Sequence, residues 1–181
     1  MARIFDNIQQ KLGPHLELTF PGHDRMDAAV GYFNLRGWNI FAPQVESHAA
    51  GESGVPVVRV LIGMVAGTEQ QQALEELQQQ LEHNSGRDEP VIDHELAGER
   101  SRALIRHLRE QLMRGIPTAQ DRETLQTLRE QISRGLVQLK VYTRRPLHGK
   151  TYIFHRDNDP NHPRLAFVGS SNLTAAGLLS N

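Results

Sequence analysis

The sequence predicts an α/β domain, a mixed β-sheet flanked by helices, with a helical insertion in the middle of the chain. Three observations carry that expectation. Strand-like apolar runs at 26–33 and 55–66 are each followed by a helical pattern, the alternation that lays helices on a sheet. Residues 92–134 carry leucines and one isoleucine at helical spacing, which makes this stretch the insertion. Short strand-like runs then return at 137–142, 152–154 and 165–168. With 181 residues, 38% of them hydrophobic, the chain can bury one good core, so 1–181 is read as a single domain.

Taken in order, Ile4, Phe5, Ile8 and Leu12 have the spacing of a short helix, which the Gly13-Pro14 pair is expected to end. Leu16, Leu18 and Phe20 alternate with polar residues as a strand would, before Pro21-Gly22 turns the chain. The run Met26-Asp27-Ala28-Ala29-Val30-Gly31-Tyr32-Phe33 reads as a buried strand, and a helix carrying Trp38 follows from about Leu35. Tyr32 and Trp38 are candidates for stacking on bases, although aromatics beside a helix more often fill a core.

Residues 55–66 are rich in β-branched side chains and long enough for a central strand. Thr68 is a fair N-cap for a helix with Leu74, Leu77 and Leu81 on one face. Asn84 to Pro90 interrupts the pattern. Two further helical patterns follow, at 92–114 (Leu96, Leu104, Leu108, Leu112) and 118–134 (Leu125, Leu128, Ile132), with Gly135 placed as a C-cap. Val137 to Tyr142 then alternates as a strand should.

Composition narrows the function. Zero cysteines exclude a disulfide framework and any thiolate metal site. The longest apolar run, at 55–66, contains Pro56 and Arg59 and falls short of the roughly 20 residues needed to cross a bilayer. No apolar signal region opens the chain, and a cytoplasmic protein with no membrane partner is expected. His94 and Glu95 diverge on a helix and His107 is out of ligand spacing, so no metal is expected there. There is no glycine-rich nucleotide loop, and no cofactor is expected.

The net charge of −1 hides a segregation. Residues 69–100 hold nine acids against two bases, whereas 134–164 hold seven bases (Arg134, Lys140, Arg144, Arg145, Lys150, Arg156, Arg164) against two acids. The positive stretch leads into L-H-G-K-T-Y-I-F-H and G-S-S-N-L-T, and Arg144 and Arg145 become candidates for holding a polyanion.

Those two motifs carry the chemistry. His148 and Lys150 precede one apolar run, and Ser170 and Asn172 follow another. In a strand, residues i and i+2 share a face, so two adjacent strands would gather imidazole, ammonium, hydroxyl and amide into one cluster. A neutral imidazole can attack phosphorus while ammonium and amide stabilise the charge growing on the phosphate oxygens. Singly, each motif is weak: H-x-K often marks a solvated strand edge, and G-S-x-N a turn.

Together, H-x-K followed about twenty residues later by G-S-x-N resembles the phospholipase D superfamily, also called the HKD family, and G-S-S-N-L-T most resembles its nuclease branch. The resemblance implies metal-independent phosphodiester cleavage through a phosphohistidine, with His148 as nucleophile and Lys150, Ser170 and Asn172 binding and positioning phosphate. DNA is the implied substrate. The family's Asp, five residues after the Lys, falls here on His155, and Asp157 and Asp159 are out of register. Some nuclease-branch members resemble this chain in that departure.

The segment R-M-D-A-A-V-G-Y-F-N-L-R-G-W resembles HKD domains attached to helicases, so the chain reads as an N-terminal piece of a longer protein with a helicase downstream. The resemblance also implies a further strand beyond Asn181. H-x-K occurs once, and the leaving oxygen needs an acid while the imidazole attacks. A homodimer through the active-site face, with one His148 from each subunit, is therefore expected. Two alternatives stand beside this reading: a non-catalytic nucleic-acid-binding module, and a phospholipid-cleaving HKD enzyme, for which the Glu- and Gln-rich helices offer no interfacial face.

Overall fold

The computed structural model describes residues 10–48, 54–63, 98–99, 102–103, 105–106, 119–142 and 147–179. The helix expected from Thr68, the 92–114 pattern, His94, Glu95, His107, Arg144 and Arg145 lie wholly or mostly outside them.

Five strands form one mixed sheet in the order β3-β2-β1-β4-β5. They are β1 (Arg25–Val30), β2 (Val58–Ile62), β3 (Val137–Val141), β4 (Lys150–His155) and β5 (Arg164–Val168). β1 is central, pairing parallel with β2 and antiparallel with β4; β2 pairs parallel with β3, and β4 antiparallel with β5. The expected α/β class with a mixed sheet is therefore observed. Each parallel step is a crossover, and its helices lie against the sheet. α2 (Leu35–Trp38) and α3 (Ala42–His48) connect β1 to β2, and α4 (Ala119–Ser133), within the expected insertion, leads into β3.

Alternation along the strands explains where the core sits. In β1, Met26, Ala28 and Val30 are buried while Arg25, Asp27 and Ala29 are not. Val58, Val60 and Ile62 of β2 and Tyr152 and Phe154 of β4 bury the same side. α2, α3 and α4 close over it: Trp38 is fully buried, and its Nε1 donates to Gln131 Oε1 at 3.1 Å. Trp38 is thus a core residue, not a base-stacking platform. Gly135 takes φ +74° after α4, as its role as a C-cap requires.

The N-terminal expectations need correction. Residues 16–20 form no strand; α1 (Leu12–Thr19) runs through them and a 3₁₀ turn (Phe20–Gly22) follows. Gly13-Pro14 opens this helix and does not end one, because the first turn needs no amide hydrogen from Pro14. Gly13 also lets α1 approach α5 (Ala175–Leu179): a Cβ there would stand 2.9 Å from the Leu178 carbonyl oxygen. Alternation over three apolar residues was too short a signal to exclude a helix.

Candidate functional site

β1 lies between a parallel neighbour and an antiparallel one, so the C-terminal ends of β1, β2 and β3 share an edge of the sheet with the start of β4 and the end of β5. In open α/β sheets, the crevice beyond such strand ends is where ligands bind. His148, Lys150, Ser170 and Asn172 all come to this edge.

Lys150 pairs with Val30 in register and is buried, on the same side as Tyr152 and Phe154. Its Nζ donates to the His148 carbonyl oxygen at 3.1 Å. Burial holds the ammonium below the usual lysine range. Among the described residues no carboxylate forms an ion pair with it. A desolvated cation without a counter-ion of its own is suited to receiving an anion.

His148 precedes β4 and is exposed. Its approach depends on two glycines. The Gly31 amide donates to the Gly149 carbonyl at 2.7 Å, while Leu147 packs so close to Gly63 that any Cβ on Gly63 would collide with the Leu147 backbone. A Cβ built on Gly31 would stand 3.6 Å from His148 Nδ1 and 3.1 Å from Asn172 Oδ1. Imidazole and amide therefore flank one point, the bare α-carbon of Gly31. The Tyr32 ring meets the His148 imidazole nearly perpendicularly, with centroids 6.4 Å apart.

The second motif departs from a simple strand pattern. β5 ends at Val168, and Ser170 and Asn172 lie in the turn after it, so they do not share a strand face. Ser170 is exposed; the preceding Gly169 amide donates to the Lys150 carbonyl at 3.1 Å. Asn172 is half-buried, and its Oδ1 accepts the Tyr32 amide hydrogen at 3.0 Å. Because a backbone N–H can only donate, this bond fixes the oxygen side of the amide and turns Nδ2 away from Tyr32.

The segment after β1 fastens that turn in place. Phe33 bridges to Leu173, the Asn34 amide donates to the Leu173 carbonyl at 3.0 Å, and Asn34 Oδ1 accepts from Gly37 and Ala175. From below, the Tyr152 hydroxyl donates to the Ser171 carbonyl at 2.9 Å; burial pushes this phenol well above its usual range. The backbone around both motifs is thus anchored to β1, to β4 and to the segment after β1. Gly31 had no place among the expected site residues, and Tyr32 was expected only as a candidate base-stacking ring. Their signal was a glycine directly after a buried strand, where a close approach requires a missing side chain.

Three arginines of the basic stretch are placed away from this edge among the described residues. Arg134 pairs with Glu46, Arg156 pairs with Asp159 and bonds to the Gly22 carbonyl, and Arg164 stands opposite His155 at the far end of β4. His155 is also remote from Lys150, on the other side of the sheet, with Nε2 3.0 Å from Asp27 Oδ2. Asp157 pairs with Arg25, and Asp159 closes the β4–β5 hairpin by accepting the amides of Asn161 and His162.

Among the described residues no group of three or more His, Cys, Asp or Glu could hold a metal, and no helix is long and apolar enough to cross a membrane. No curated protein matches the chain. Residues 112–181, which include both motifs, match the family model described as the NgoFVII restriction endonuclease N-terminal PLD domain. That match covers the C-terminal part of the chain and, with the five-stranded mixed sheet and its helices, makes this part similar to a phospholipase D-like restriction endonuclease domain and supports a phospholipase D-like nuclease.

Proposed function

We propose that the protein is a metal-independent DNA phosphodiesterase in which His148 is the nucleophile. The observation that carries this reading is the convergence of His148 and Asn172 on Gly31 beside the buried Lys150, with which no carboxylate among the described residues pairs. Nδ1 is turned toward Gly31, and Nε2 is assigned the attack. Its lone pair forms a P–N bond as the P–O bond to the leaving strand breaks, and the leaving oxygen takes a proton from a second acid. Water then attacks phosphorus, the P–N bond breaks, and the imidazole is regenerated. Lys150, Asn172 Nδ2 and Ser170 Oγ receive the non-bridging oxygens, while Arg144 and Arg145 hold the flanking backbone.

The second acid is assigned to His148 of another copy in a homodimer. His155 cannot serve, being at the other end of β4 and held by Asp27. DNA as substrate draws support from the matched family, a restriction endonuclease domain. Attachment to a helicase rests on the resemblance of the segment around Gly31.

Cleavage of labelled single- and double-stranded DNA by wild type and His148→Ala, with and without EDTA, tests the proposal. Wild type is expected to cut in EDTA and His148→Ala to lose at least about 10³-fold in rate. Restoration by Mg²⁺ of an activity that EDTA abolishes would overturn the mechanism. DNA bound but never cut would instead favour a binding module.

A further inference from the structure

Resting on the proposed phosphodiesterase reading, we infer that Gly31 and Tyr32 are positioning residues of the site, holding the nucleophile and the Asn172 amide in reactive register. Three observations converge. Gly31 offers a floor with no side chain, against which His148 Nδ1 and Asn172 Oδ1 both rest. The Tyr32 amide bonds to Asn172 Oδ1, which leaves Nδ2 as the only face of that amide able to meet an anion. The Tyr32 ring stands nearly perpendicular to the exposed His148 imidazole, with centroids 6.4 Å apart, and limits where that side chain can turn.

The physical need is plain. An exposed histidine samples several rotamers, and an attacking nitrogen displaced by about 1 Å loses about 10²-fold in rate. One backbone segment, fixed by β1 and by the Phe33–Leu173 bridge, sets the position of one group from each motif. Neither residue touches phosphate in this scheme; both act through groups that do. The Tyr32 ring faces His148 edge to face.

The test compares Gly31→Ala, Tyr32→Ala and Tyr32→Phe with wild type and His148→Ala, measuring kcat and KM on a DNA substrate together with Tm. Tyr32→Ala is expected to lower kcat about 10- to 100-fold with KM within about twofold. Tyr32→Phe keeps the ring and should recover kcat to within about threefold of wild type. Gly31→Ala, whose methyl meets Asn172 Oδ1 at 3.1 Å, should lower kcat by a similar factor with a cooperative thermal transition retained.

An unchanged kcat in Tyr32→Ala, a loss confined to KM, or a Tyr32→Phe as damaged as Tyr32→Ala would overturn the inference. So would a kcat loss matched by loss of the cooperative transition in all three variants. His148→Ala with wild-type turnover would refute the underlying reading instead, so the two failures are distinguishable.

Discussion

At the start of β4, Lys150 is buried with its ammonium against a backbone carbonyl; at the other end, His155 is buried against Asp27, a carboxylate that also takes both nitrogens of an Arg59 fork. Around His155 the charges are consumed by each other: Arg25 with Asp157, Arg156 with Asp159, Arg59 with Asp27. Around Lys150 the described residues offer a cation, an imidazole and an amide, with no carboxylate paired to the cation. Internal pairing at one end contributes to the fold and leaves little to attract a ligand. Withheld pairing at the other costs desolvation in the empty protein, a cost that only an anion would offset. One strand thus carries a structural end and the end proposed to be functional.

The largest effect that could break this contrast is at Lys150. Burial lowers its pKa, so the protonated side chain opposes folding at neutral pH, and stability is gained only as pH rises through the lowered value. Removing the charge should therefore leave stability intact. Lys150→Met is expected to cut turnover about 10²- to 10³-fold while Tm stays equal to or above that of wild type. Differential scanning calorimetry beside a cleavage assay checks both; a Tm several degrees lower would make Lys150 a structural residue like His155.

The second effect concerns what the functional end lacks. If its acid is the His148 of a partner, each dimer has one site and needs two intact copies. Mixing wild type and His148→Ala in equal amounts, under conditions that exchange subunits, should then lower activity per total protein to about a quarter of wild type, the share of all-wild-type dimers. A value of about one half would mean that each chain works alone.

How much of this was legible in the sequence follows from range. β1, β4 and β5 were readable because apolar alternation is a local signal, and the H-x-K and S-x-N motifs because each is contained in a few residues. α1 was misread because Leu16 and Phe20, four residues apart, share a face in a helix as well as in a strand, while Leu18 between them points to solvent. The contribution of Gly31 and Tyr32 was not legible: Tyr32 bonds to a residue 140 positions away, and nothing near it in sequence announces that partner. Sequence proximity also misleads for three arginines of the basic stretch. Arg134, Arg156 and Arg164 are near Lys150 in sequence, but the antiparallel β4–β5 pair carries the last two to the opposite edge.

The smallest effects belong to the structural end, where the prediction is a loss of stability on acidification without loss of catalysis. Burial raises the Asp27 carboxyl, but Arg59 and then His155 outweigh it and hold it below its ordinary 3.8. Burial, with Arg25 adding to it, lowers His155 below its ordinary 6.5 despite the pull of Asp27. Both native groups bind protons less readily than their unfolded counterparts, so each contributes stability that is present at high pH and lost on descent. His155 begins to lose its share below pH 6.5, and Asp27 only below 3.8. Tm measured from pH 8 downward should therefore fall in two stages, and His155→Gln, which cannot take a proton, should flatten the first. Asp27→Asn should lower stability at pH 7 by about 1 kcal/mol, a modest figure because Arg59 is half exposed, or about 2–4 °C in Tm for a chain of this size. Both variants should keep kcat within about twofold of wild type, since neither residue reaches the Lys150 end of the strand. A His155→Gln protein with wild-type Tm but no turnover would reverse the assignment, making the far end of β4 part of the chemistry and removing the need for a second copy of His148.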